Sequence, residues 1–179
     1  RLLNKGKIEE ALNNFNTCLN RRTEIDGERS VGVQICKINI ASCFLQLGEV
    51  AKAMALAKDS SDQLEDMLGE AHSNTVLSRL VLARSYTYDE NYQEAKEIFS
   101  KNTALFEKLH GNDHPRTWIE FLDFAEVLYT LEEYDLTINV VEKQIRNALQ
   151  TQTYAHPTVQ RGMLMAARTH HALKNLGRS

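Results

Sequence analysis

The sequence predicts an all-α protein assembled from repeated antiparallel helix pairs, and three observations carry that expectation. His72, His114 and His156 stand 42 residues apart, and one further step back reaches Ser30. Small residues keep the same step, as Ala41, Ala83, Ala125 and Ala167 in one series and Ala11, Ala53, Ala95 and Thr137 in another. The segments between these marks place apolar residues at helical spacing, i, i+3, i+4, i+7. A fixed period of this size is the mark of a repeat architecture.

The elements follow in order. Residues 9–19, EEALNNFNTCL, form an amphipathic helix of the second kind within a pair, introduced by Ile8. Gly27 in GERSVGV follows it, where a left-handed residue closes a helix. Residues 33–49, VQICKINIASCFLQLGE, are apolar on almost every face, as expected of a helix held between neighbours. Val50 is in step with Ile8 and introduces the next helix, where Asp59, Asp62, Glu65 and Asp66 make a solvated face. Gly69 in GEAHSNT ends that unit. Ala83 with Tyr86, and then Tyr92 with QEAKEIFSKNTALF, repeat the pair. Ala125 with Leu128 and Tyr134 with Thr137 repeat it again, and Ala167 with His170 begins the last. Phe44, Tyr86, Leu128 and His170 each follow a small residue by three and should fill the space beside it. Twelve residues separate the two small series, which marks a close helix–helix approach across a turn.

HGNDHPRT (110–117) invites a metal or catalytic reading, yet it is one copy of the recurring joint. Histidines two helix layers apart would lie about 16–20 Å from each other and could not share one ion. Pro115 and Pro157 then sit in a first helical turn, where a missing N–H costs nothing. Trp118, at the start of a first helix, is expected to pack, and the adjacent His170 and His171 point about 100° apart on a helix.

The 179-residue chain is 42% apolar and 25% charged with a net charge of −3, ordinary values for a folded protein. The weak charge, without a block of one sign, points away from nucleic acid and acidic membranes. No apolar run reaches the ~18 residues needed to span a bilayer. Cys36 and Cys43 lie about 10 Å apart along a helix and cannot pair, so three reduced, buried cysteines of a cytoplasmic protein are expected. GxxxxGK[ST], GxGxxG, HExxH and GxSxG are all absent, so neither a catalytic site nor a cofactor or metal is expected.

The small residue, the bulky residue three later and the alanine twelve later resemble the tetratricopeptide repeat (TPR). The 42-residue length, Leu68-Gly69-Glu70-Ala71-His72 and His114-Pro115-Arg116-Thr117 are most similar to the kinesin light chain subgroup. Of that subgroup's Asn-Asn pair before Leu-Ala, only Asn39 is present. The resemblance spans the chain and implies a right-handed α-solenoid of about eight helices. It would form one repeat domain over 1–179, with a partial repeat 1–29, repeats 30–71, 72–113 and 114–155, and a partial repeat 156–179. Since it opens on Arg1 without an initiator Met, the chain is expected to be a fragment of a longer protein.

The resemblance further implies a non-catalytic scaffold that binds a peptide or partner protein along a groove lined by first helices. An inner stripe would hold Asn39, Ser42, Gln46, Arg84, Tyr88, Asp123, Glu126, Thr130 and Arg168, polar residues interrupting apolar helices at i, i+3, i+7. Their charges alternate in sign, although the same residues could simply meet water. Leu77, Leu80, Ile119 and Leu122 are either apolar anchors or inter-helix core. The alternative is a regulatory or sensor segment of a larger signalling ATPase or transcription regulator, working with domains of its own chain.

Overall fold

A computed structural model of the chain describes residues 2–111 and 114–176. Helix is the only regular secondary structure among the described residues. The helices are α1 (Leu2–Asp26), α2 (Val31–Leu47), α3 (Val50–Leu68), α4 (Ser73–Tyr88), α5 (Tyr92–His110), α6 (Pro115–Thr130), α7 (Tyr134–Ala148) and α8 (Pro157–Leu176). They gather into two compact units, Arg1–Asn91 with α1 to α4 and Tyr92–Ser179 with α5 to α8.

Within each unit consecutive helices pack against one another, and the first helix of one pair also touches the first helix of the next. In the first unit that second-neighbour contact is α2 on α4, and in the second it is α6 on α8. First helices are therefore buried on several sides. On α2, Val33, Gln34, Cys36, Ile38, Ile40, Ala41, Cys43 and Leu45 are all buried. Second helices bury one stripe at i, i+4, i+7: Ala95, Phe99, Asn102, Thr103 and Phe106 on α5, and Thr137, Val141, Gln144 and Ala148 on α7. Phe99 and Phe106 are fully enclosed, and each contributes roughly 1.5–3 kcal/mol by leaving water.

Most members of the small series are buried. Ala41, Ala53, Ala83, Ala95, Ala125 and Thr137 have no exposed surface. Ala11 is only half-buried, and Ala167 is exposed on α8. His170 also departs from expectation: it is exposed and lies 4.0 Å from Glu142 instead of filling a gap beside Ala167. Ala125, Val141 and Met165 join α6, α7 and α8 in one core cluster, with Tyr129, Val140, Ile145 and Ala166 around it.

The joints explain the repeating histidines. His72, His114 and His156 are N-caps, each Nδ1 accepting a backbone N–H two residues on, from Asn74 (3.1 Å), Arg116 (3.2 Å) and Thr158 (3.3 Å). Ser30 does the same work with its hydroxyl, accepting from Val33 at 3.3 Å. Capping satisfies N–H groups that a helix start leaves without partners. Pro115 occupies the first turn of α6 and Pro157 begins α8. Asn112 and Asp113 of HGNDHPRT lie outside the described residues.

Each turn inside a pair also has a fixed form. Gly48 has φ +82°, and Glu49 N–H donates to Phe44 C=O at 2.9 Å. Glu90 and Glu132, one and two periods later, adopt φ 62° and 61° with the same bond, Asn91 to Tyr86 and Glu133 to Leu128, each 2.9 Å. The turn requires a left-handed residue whether or not glycine is there. Gly6, one period before Gly48, instead lies inside α1, which starts earlier than Ile8; glycine accepts either conformation.

A further contact recurs between a second helix and the first helix that follows it. Its two positions are 18 residues apart, as in Asn102 and Glu120, where the buried amide donates to the carboxyl at 2.6 Å. Ser60 and Ser78 hold the matching places on α3 and α4, both fully buried. Gln144 and Gly162 hold them on α7 and α8, where a Cβ on Gly162 would sit 2.5 Å from Gln144 Oε1. In the two contacts of the second unit the volumes are complementary, two medium residues in one and one large side chain facing a glycine in the other.

Candidate functional site

The stripe expected from sequence falls on first helices, and each unit carries its own share. In the first unit Asn39, Ser42 and Gln46 lie along α2, and Arg84 and Tyr88 lie along α4, the helix that α2 touches. Asn39, Ser42 and Arg84 are half-buried, Gln46 is exposed, and Tyr88 is 64% exposed. Two of the polar groups are already engaged by their own helix: Ser42 Oγ donates to Ile38 C=O at 3.1 Å, and Gln46 Nε2 donates to Ser42 C=O at 3.4 Å.

In the second unit Asp123, Glu126 and Thr130 lie along α6, with Arg168 on α8. Here the structure joins residues that spacing could only align. Arg168 Nη1 is 3.8 Å from Glu126 Oε2, with both side chains about half exposed. The same guanidinium lies over the Tyr129 ring at 4.7 Å. Tyr129 in turn meets Tyr134 edge-on at 5.4 Å. Thr130 Oγ1 donates back to Glu126 C=O at 2.9 Å. An exposed pair of this kind contributes at most about 1 kcal/mol, so a ligand could exchange it for its own charges at little cost. Tyr129 was not singled out from sequence; its place beside Arg168 depends on how α8 lies on α6.

The apolar candidates divide. Leu80 and Leu122 are 7% and 2% exposed and belong to the core, whereas Leu77 is half-buried and Ile119 is 36% exposed. Trp118 is core as well, packed with Ala148, Val159 and Leu149 and edge-on to His156 at 5.9 Å. On the outer side, the acidic face of α3 is exposed as expected, but two of its members are paired: Asp59 with Lys37 at 3.2 Å and Glu65 with Arg79 at 2.7 Å. These pairs tie α3 to α2 and to α4. Among the described residues no group of His, Cys, Asp and Glu is placed to hold a metal ion, and no helix is long and apolar enough to cross a membrane.

No protein-family model matches the chain. Two curated relatives, the Clustered mitochondria protein homologs of Homo sapiens and Danio rerio, are each 24% identical over 152 residues, which cover 85% of this chain and 11% of theirs. The chain thus spans about a tenth of the length of these relatives. Among solved structures, the nearly identical TPR-like repeats of a kinesin light chain candidate from Podosopora anserina match with a TM-score of 0.81 at 18% identity, over 95% of this chain and 80% of that one. BtubC (BKLC) from P. vanneervenii matches with a TM-score of 0.83 at 12% identity, over 96% of this chain and 68% of that one. The fold is an all-α, TPR-like solenoid of the kind seen in kinesin light chain repeats.

Proposed function

We propose that the chain is a non-catalytic, cytoplasmic protein-interaction scaffold that binds a peptide or partner protein through the faces of its first helices. The observation that carries this reading is a polar or charged residue recurring at one position of each first helix, 42 residues apart, with an aromatic ring nearby in each unit. Ser42 and Arg84 hold this position in one unit, Glu126 and Arg168 in the other, with Tyr88 largely exposed and Tyr129 under a guanidinium. Charges so placed contribute specificity and association rate, while aromatic surface supplies anchoring. The fitting ligand is a short segment with apolar anchors flanked by charges, with Leu77 as the remaining apolar contact in the first unit and Ile119 in the second. The two relatives named for clustered mitochondria make mitochondrial proteins the first partners to try.

Affinity capture on the intact protein, followed by titration of the captured partner, tests the assignment. Arg84→Glu should weaken binding tenfold or more while circular dichroism and melting temperature stay nearly unchanged. Lys101→Glu, a reversal at an exposed position of α5, should do little. The opposite ranking would move the binding surface to the second helices and end this reading.

A further inference from the structure

The positions 18 residues apart hold two serines on α3 and α4, amide and carboxyl on α5 and α6, and amide and glycine on α7 and α8; on α1 and α2 both are cysteine. The Cys36 thiol donates to Cys18 Sγ at 3.3 Å across the contact of α1 with α2, and neither sulfur is in a disulfide. Their surroundings differ. Cys36 is 4% exposed, whereas Cys18 is partly open to solvent. Arg22 stands one turn along α1 from Cys18, and its guanidinium lies against the first turn of α2. Gly32 makes room for it, since a Cβ there would run into the guanidinium. Cys18 and Arg22 are thus matched by Cys36 and Gly32, each pair one turn apart on its own helix. The hydrogen bond from Cys36, and after it Arg22, hold the Cys18 thiol below its ordinary range, while burial pushes the Cys36 thiol up to about 11. Thiolate is the reactive form, so the open cysteine is the nucleophile and the enclosed one keeps its proton.

We propose that Cys18 and Cys36 are a reversible redox pair, Cys18 being oxidised first and Cys36 then closing a disulfide between α1 and α2. The oxidant is hydrogen peroxide. The Cys18 thiolate attacks one peroxide oxygen, the O–O bond breaks, hydroxide leaves, and the sulfur becomes a sulfenic acid. Cys36 sulfur then attacks the sulfenic sulfur. The S–S bond forms, the S–O bond breaks, and the oxygen departs as water with the Cys36 proton. Two thiols and one peroxide yield one disulfide and two waters, and thiol reductants reverse the reaction by exchange. Bonded sulfurs are about 2 Å apart, so closure asks for a side-chain rotation and a small helix shift. The consequence is local to the first unit. None of the α1 side chains described is fully buried, so the helix is held by partial contacts until the bond clamps it to α2.

Peroxide treatment of the intact protein, with thiols counted after denaturation, tests this. The three cysteines should fall to one titratable thiol, a digest should contain Cys18 linked to Cys36, and dithiothreitol should restore all three. Cys43→Ser should form the same link. Cys36→Ser should leave a sulfenic acid on Cys18 that dimedone traps, and the fully buried Ser60 and Ser78 at the matching places indicate that the hydroxyl fits. Arg22→Met should slow Cys18 oxidation several-fold with the helical signal unchanged. Three surviving thiols, a link through Cys43, or a cross-link only between molecules would overturn the proposal.

Discussion

Replacing Gly162 with alanine sets two effects of similar size against each other. Gly162 lies in the interior of α8, where alanine is favoured over glycine by roughly 0.5–1 kcal/mol. The new Cβ would sit 2.5 Å from Gln144 Oε1 and 3.0 Å from Ile145 Cγ1. Gln144 is fully buried, so its amide cannot swing into water to make room. Overpacking at such a site costs about 1–3 kcal/mol. The net expectation is a loss of roughly 0–2.5 kcal/mol. In a Gln144→Ala background the obstruction is mostly gone, and Gly162→Ala should instead stabilise by up to about 1 kcal/mol. The sign reversal is the prediction, equivalent to a coupling of at least about 1 kcal/mol in a double-mutant cycle. Among the described residues the Gln144 amide atoms have no hydrogen-bond partner, so packing is the main cost of Gln144→Ala. Urea unfolding followed by fluorescence reads this directly, because Trp118 is the sole tryptophan and packs against Val159 of α8. With urea slopes of about 1–3 kcal/mol per molar, 1 kcal/mol moves the midpoint by roughly 0.3–1 M. If Gly162→Ala raises the midpoint equally in both backgrounds, the 18-residue pairing is not a packing constraint.

Two further outcomes follow from single residues. Glu132→Gly should stabilise the second unit by about 1 kcal/mol, since Glu132 holds φ 61° where Gly48 serves in the first pair; Glu133→Gly beside it should destabilise, and the urea midpoint separates the two. Burial, then the neighbouring His114 and Arg116, hold the His110 imidazole below its ordinary value of 6.5. The unfolded chain therefore takes up this proton first as pH falls. The contribution of His110 to stability is complete above about 6.5 and is lost on acidification through that value toward the folded pKa. His110→Phe should flatten the decline in urea midpoint between pH about 7.5 and 5.5, and an unchanged slope would remove His110 as its cause.

The architecture was legible because its signals are local. A cap at His72, His114 or His156 answers N–H groups two residues away, and a positive φ at Gly27, Gly69 or Gly111 ends a helix where it stands. Repetition at one spacing converted these short-range signals into the order and kind of every helix, and marked the small residues at Ala41, Ala53, Ala83 and Ala125 as buried. The site was legible only as positions. Spacing could place Glu126 and Arg168 at one height, but the ion pair and the guanidinium over Tyr129 depend on how α8 rests on α6. Leu80 and Leu122 could not be told from anchors, since apolar residues occur on a first helix both against a neighbour and on the open side. The left-handed Glu90 and Glu132 carried no composition signal at all. Cys18 and Cys36 were present in the sequence with the 18-residue offset of Asn102 and Glu120, among many other offsets. Helix rotation and the length of each turn decide which offset becomes a contact, and those are properties of packing between helices that no single helix contains.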